Sequence, residues 1–63
     1  KKKSVRQVIK MLEEDGWEYS YTKGDHRQFK HPNKSGKVTV RGKLSDDVDG
    51  FLLISILKQA GLK

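Results

Sequence analysis

Within the first 22 residues the apolar spacing switches from a helical period to a strand period, and the switch falls on Gly16. Before it, Val5, Val8, Ile9 and Leu12 stand at i, i+3, i+4 and i+7, with Arg6, Gln7, Lys10, Glu13 and Glu14 on the other side. Ser4 is suited to cap the N-terminus, and Gly16 tolerates the left-handed residue that commonly ends a helix. The spacing predicts a helix over 4–15. Its last acids, Glu13 to Asp15, oppose the helix dipole and are expected to fray the final turn. After Gly16, Trp17-Glu18-Tyr19-Ser20-Tyr21-Thr22 alternates aromatic with polar, which predicts a strand whose three aromatics face the core.

The rest of the chain is punctuated by turns. Lys23-Gly24-Asp25 reads as one and Pro32-Asn33-Lys34-Ser35-Gly36 as another. Between them, a strand over 26–31 sends Phe29 inward with Arg27 and His31, and places His26, Gln28 and Lys30 on the opposite face. A short strand over 37–40 turns Val38 and Val40 inward and Lys37 and Thr39 outward. Residues 41–47 have no period and read as a polar loop. A second helix starts between Ser45 and Gly50, with Ser45, Asp46 and Asp47 suited to its cap and first turn, and ends before Gly61. Leu53, Ile56, Leu57 and Ala60 form its buried stripe. Phe51 and Ile54 fall on the opposite side, so either the helix is buried on two sides or these two residues form a contact surface for a partner. The order helix–strand–strand–strand–helix predicts an α+β fold: a three-stranded antiparallel sheet with both helices on one face and the other face open.

A chain of 63 residues is expected to be one domain spanning 1–63. At this size folding buries only about 60% of the unfolded chain's surface. The core is then expected to supply roughly 3–5 kcal/mol, so a partner chain is a natural source of further stability. With no cysteine there is neither a disulfide nor a thiolate metal site, and two histidines on one strand do not close a structural zinc site. No metal or cofactor is expected. No apolar run approaches the roughly 20 residues of a membrane span, and no signal peptide is visible. The expected compartment is the cytoplasm. The chain opens on Lys1-Lys2-Lys3 without a methionine, so it does not fix the native start.

The net charge of +6 is unevenly spread. Residues 22–43 carry seven cations, Lys23, Arg27, Lys30, Lys34, Lys37, Arg41 and Lys43, against the single acid Asp25. Such a concentration on a small domain suits a polyanion. The open face is expected to present His26, Gln28, Lys30, Lys37, Thr39 and Arg41, with Lys23 and Arg27 as further phosphate contacts. Cations and polar groups there fit an RNA backbone. His26 adds a group that moves protons near neutral pH. RNA carries its own nucleophile, the 2′-hydroxyl. A base in reach deprotonates it for attack on the adjacent phosphorus, while nearby cations stabilise the developing charge, and no metal is required.

Plainer roles compete for several of these residues. A histidine on a solvated strand is most often only solvated. His31, beside Phe29 in facing and next to Pro32, is expected to be structural and to donate a hydrogen bond at the turn. Trp17, Tyr19 and Tyr21 are expected to be core rather than a stacking platform. Gly24 lacks phosphate-loop spacing, and Asp46, Asp47 and Asp49 lack the Ca²⁺-loop pattern.

Three separated stretches carry a resemblance to a known family. Val8-Ile9-Lys10-Met11-Leu12-Glu13-Glu14-Asp15-Gly16-Trp17, Lys23-Gly24-Asp25-His26-Arg27-Gln28-Phe29-Lys30-His31-Pro32 and Ser55-Ile56-Leu57-Lys58-Gln59-Ala60-Gly61-Leu62 resemble, in order, the first helix, the central motif and the last helix of the HicA toxins of toxin–antitoxin pairs. The resemblance implies a double-stranded-RNA-binding-domain-like α-β-β-β-α fold. It implies an endoribonuclease that cleaves mRNA, with His26 at the essential position, and a HicB antitoxin that covers the active face in a hetero-oligomeric complex. The chain departs from the family pattern at Asp25, where Ser is usual, and at Arg41-Gly42-Lys43, where a Pro-His-Pro-like segment is usual. It also departs in the acidic loop before the second helix and at Ile54. Two other classes share this element order. One is a non-catalytic double-stranded-RNA-binding domain, disfavoured by acids where such domains place lysines. The other is a toxin fold kept as a protein-interaction module, favoured by Phe51, Ile54 and the acidic loop.

Overall fold

Ser4 closes the start of the first helix from two directions. Its hydroxyl accepts from the Gln7 backbone N–H at 3.2 Å, and its own N–H donates to Gln7 Oε1 at 2.8 Å. In the computed structural model, which describes residues 3–62, helix α1 runs Val5–Glu14 and buries Val5, Val8 and Leu12. Lys1 and Lys2 of the opening lysine run, and Lys63, lie outside the described residues. The two remaining donors of the first turn reach across the molecule. Val5 N–H donates to Asp46 O at 2.8 Å and Arg6 N–H to Leu44 O at 3.2 Å.

That contact brings in two strands absent from the sequence reading. Strand β1, Lys3–Ser4, pairs antiparallel with β5, Asp47–Val48, and Val48 is buried in the core. The segment 41–47 is therefore not a free loop. Asp46 accepts from the Lys43 N–H at 3.0 Å to hold a turn, and Asp47 belongs to β5. Ser45 is not the cap of the second helix. Helix α2 runs Gly50–Gln59, and its cap is Asp49, whose carboxylate accepts from the Leu52 N–H at 2.8 Å.

The main sheet has the order β2-β3-β4, with β2 Glu18–Lys23, β3 His26–Lys30 and β4 Val38–Arg41, antiparallel throughout. Both helices cover the face that carries Phe29, Val38 and Val40, which are buried with Trp17, Ile56 and Ala60. The arrangement is the α+β, double-stranded-RNA-binding-domain-like fold. Strand β3 is central and β2 lies at an edge, and that position overturns the expectation for two aromatics. Tyr19 is 56% and Tyr21 46% exposed. Tyr19 lies beyond the cover of the helices. Its ring meets Phe29 edge-on at 6.0 Å, and its hydroxyl bonds Thr22 Oγ1 at 2.6 Å. Tyr21 has changed face. A register shift between Tyr19 and Tyr21 pairs Tyr19 with Phe29 but Tyr21 with Gln28, so the strict alternation of 17–22 breaks at Ser20.

The last turn of α1 is held rather than frayed. Gly16, at φ +99°, donates to Glu13 O at 3.0 Å and Trp17 N–H donates to Leu12 O at 2.9 Å, the bond pair of a Schellman motif. Helix α2 ends the same way, with Gly61 bonded to Lys58 O and Leu62 to Leu57 O. Lys34 joins the two ends: its ammonium donates to the Asp15 carboxylate and, at 3.1 Å, to Ala60 O. A cation at two helix C-termini compensates both dipoles and offsets the acids in the last turn of α1.

Candidate nucleic-acid interface and active site

A two-residue turn fixes the register of the open face. Gly24 takes φ +64° at the first central position of the hairpin, where a type II′ turn requires glycine, and Lys23 and His26 flank it as a pair. The second ladder places His26 opposite Arg41, and Gly42 N–H closes it by donating to Asp25 O at 3.1 Å. The result is a row of three across the sheet, Lys23–His26–Arg41, with all three residues exposed. The next row is Tyr21–Gln28–Thr39, in which Thr39 Oγ1 donates to Gln28 Oε1 at 2.7 Å. In the row beyond, Lys30 stands opposite Glu18. Directly opposed residues share a face, so these side chains form one surface away from the helices.

Individual residues differ from one another in availability. The His26 side chain is 46% exposed, and its Nε2 lies 3.4 Å from Asp25 Oδ1, an ion-pair distance at the mouth of the turn. Lys23, Lys30, Lys37 and Arg41 are exposed. Gln28 lies on the expected face but is 91% covered, hemmed between Tyr21 and Thr39, with its carbonyl engaged by Thr39. Arg27 is on the core side, half-buried, and its Nη1 donates to Gly42 O at 2.6 Å. That bond braces the β3–β4 end beneath Arg41, and it takes Arg27 out of the set that faces an RNA strand together with His26.

His31 is structural, as its facing suggested. Its Nε2 meets Asp15 O at 2.7 Å, and Nδ1 accepts from Asn33 N–H at 3.0 Å. A carbonyl only accepts, so the ring carries its proton on Nε2 and donates there. The ring also stands edge-on to Trp17 at 5.2 Å. Beside it, the Lys34 ammonium holds the Asp15 carboxyl below its ordinary value, chiefly by its hydrogen bond. On α2, Phe51 is 89% exposed in the first turn, and Ile54 lies one turn further along the same side.

A small α+β domain of this element order, with an uncovered basic sheet face centred on one histidine, belongs to the double-stranded-RNA-binding-domain-like class of fold. Comparison with known families makes this specific: residues 5–62 match the family described as HicA toxin of bacterial toxin–antitoxin. The chain belongs to the HicA toxin family, a family of ribonuclease-type toxins. No curated protein matches it at the level of sequence. No helix among the described residues is long and apolar enough to cross a membrane.

Proposed function

We propose that this toxin is a metal-independent endoribonuclease that cleaves mRNA in the cytoplasm, with His26 as its general acid–base and a HicB-type antitoxin as its inhibitor. The observation that carries this reading is the row Lys23–His26–Arg41 on the open face. A proton-transfer group stands between two cations, one on each neighbouring strand. A phosphodiester laid along the row would put its non-bridging oxygens near Lys23 and Arg41, and its 2′-hydroxyl near the His26 ring. His26 takes the hydroxyl proton, the oxygen attacks the adjacent phosphorus, and the P–O5′ bond breaks as the leaving oxygen takes a proton from solvent water, giving a 2′,3′-cyclic phosphate and a 5′-hydroxyl end. The cations stabilise the extra charge on the phosphoryl oxygens as the bond forms. Lys30 and Lys37 extend the same charged surface to flanking phosphates.

Phe51 and Ile54 support the partner half of the proposal. An aromatic side chain left 89% exposed in a chain of this size is suited to burial against a second protein. The competing reading, a toxin fold retained only for binding, draws on the same patch and on Asp25, whose carboxylate next to His26 repels phosphate.

Incubation of the purified protein with single-stranded RNA in EDTA, beside His26→Ala, separates these readings. Cleavage by the wild type with cyclic phosphate ends is expected, and a loss of about 10²–10⁴-fold in the variant. Equal rates for both proteins would remove His26 from the mechanism. No cleavage by a folded wild type would favour the binding module.

A further inference from the structure

We propose that Tyr21 stacks on an unpaired nucleobase beside the scissile phosphate, so that the preferred RNA is single-stranded at that nucleotide. The inference rests on the ribonuclease reading for the identity of the phosphate, and on four observations of the sheet for the rest. First, the shift of register between Tyr19 and Tyr21 moves Tyr21 from the helix-covered face to the face of His26. Without it, Tyr21 would lie on the Phe29 side, as the plain alternation demands. Second, the two tyrosines differ in what holds them. Tyr19 is edge-on to Phe29 with its hydroxyl on Thr22, whereas the Tyr21 side chain has no hydrogen bond among the described residues and is 46% exposed. Third, Tyr21 opposes Gln28, and Gln28 neighbours His26 on the same face of β3. Diagonal neighbours of this kind lie about 7–8 Å apart, a separation that one nucleotide spans between its phosphate and its base. Fourth, Lys23 shares the strand and the face of Tyr21 and stands opposite His26, and Arg41 stands on the other side of His26. The cations give the polyanion its place, and the aromatic gives its base a surface.

An aromatic ring flanked by cations on an uncovered sheet is a stacking platform for single strands, because every base offers a π-face. A base inside a duplex has both faces occupied and must unstack first. Gln28 lies under this position with its carbonyl fixed by Thr39, which makes the floor of the subsite polar and rigid.

The test uses the full chain and a short 2′-O-methyl oligoribonucleotide with one 2-aminopurine. The blocked 2′-oxygen prevents turnover with His26 in place, and 2-aminopurine fluorescence falls when the base stacks. Wild type is expected to bind the single strand with quenching and to bind the same strand annealed to its complement more weakly. Tyr21→Ala should weaken single-strand binding roughly 5- to 150-fold and abolish the quenching. Tyr21→Phe should restore both, and Tyr21→Leu, which keeps apolar cover without a π-face, should not. Tyr19→Ala, on the other face, should leave the quenching in place, with folding of each variant checked by circular dichroism. Equal quenching by wild type and Tyr21→Ala would overturn the proposal, as would equal affinity for single strand and duplex, or no binding at all. Quenching that depends on Tyr21 in a protein that fails to cleave unmodified RNA would support the stacking subsite and refute the ribonuclease reading. Cleavage that Tyr21→Ala leaves unchanged would do the reverse.

Discussion

Gly16 carries more constraints than any other single residue. Its φ of +99° closes the Schellman motif at the end of α1, and a Cβ there would lie 2.7 Å from His31 Nε2. The clash falls on an imidazole that is itself fixed by Asp15 O and Asn33 N–H, so the ring has nowhere to retreat. Gly16→Ala is expected to cost about 1–3 kcal/mol from the strained backbone alone. In a domain of this size each kcal/mol lowers Tm by about 4–8 °C, so thermal unfolding followed by circular dichroism reads the effect directly. A change of less than one degree would show that the αL residue and the His31 contact carry no strain. The sequence showed the helix stop at Gly16. It did not show the second reason for the glycine, because the approach of His31 depends on how β3 returns to the end of α1.

Between elements, the clamp built by Lys34 is the main feature that periodicity could not reveal. In the sequence Lys34 is one of seven cations in the middle of the chain, sitting in a turn. In the fold it bonds the Asp15 carboxylate at the end of α1 and Ala60 O at the end of α2. The carboxyl of Asp15 titrates below its ordinary 3.8 in the folded protein, mainly through that hydrogen bond. A carboxyl with a depressed folded pKa contributes its full stabilisation above the unfolded value and loses it as the pH falls through the folded one. Asp15→Asn should therefore lower Tm at pH 7, and the gap from wild type should close as the pH is taken below 3.8. Thermal unfolding followed by circular dichroism at neutral and at acid pH measures it. A gap that stays constant with pH would rule out the ion pair as its source. The β1–β5 ladder was equally hidden, since two-residue strands have no period to read.

Across the molecule, the cations of 22–43 are divided between the open sheet face and internal bonds. On the ribonuclease reading, phosphate binding is expected from Lys23, Lys30, Lys37 and Arg41, since Lys34 and Arg27 are committed to internal bonds. Four phosphate contacts on a single strand predict a slope of about −3 for log affinity against log salt, and loss of one cation should reduce its size by about 0.7. Arg41→Gln should therefore flatten the salt dependence of RNA binding, measured by fluorescence anisotropy. Arg27→Gln should instead lower stability and leave the slope at about −3, because its guanidinium serves Gly42. A slope near zero for the wild type would show that the basic face does not bind backbone phosphate.

Local patterns along the chain suffice for the order of the main elements, the inward facing of Trp17, Phe29, Val38, Val40 and Ile56, and the outward facing of His26. Each of these follows from local terms: apolar period, a serine cap, and glycines where φ is positive. The family motifs were legible for the same reason, being short runs with characteristic spacing. The rest depends on contacts between residues distant in the chain. Tyr21 moved to the face of His26 because a register shift interrupts an alternation that the sequence shows as unbroken. Arg27, inward already by parity, found its partner in Gly42 O, and Lys34 was withdrawn from the basic surface by a carboxylate and a carbonyl distant in the chain. Asp49, and not Ser45, came to cap α2 because the pairing of Asp47 and Val48 with β1 carried the chain four residues further before the helix could begin. Charge and polarity are properties of a residue, but availability to a ligand depends on the partners that folding brings to it, and those partners lie far away in sequence.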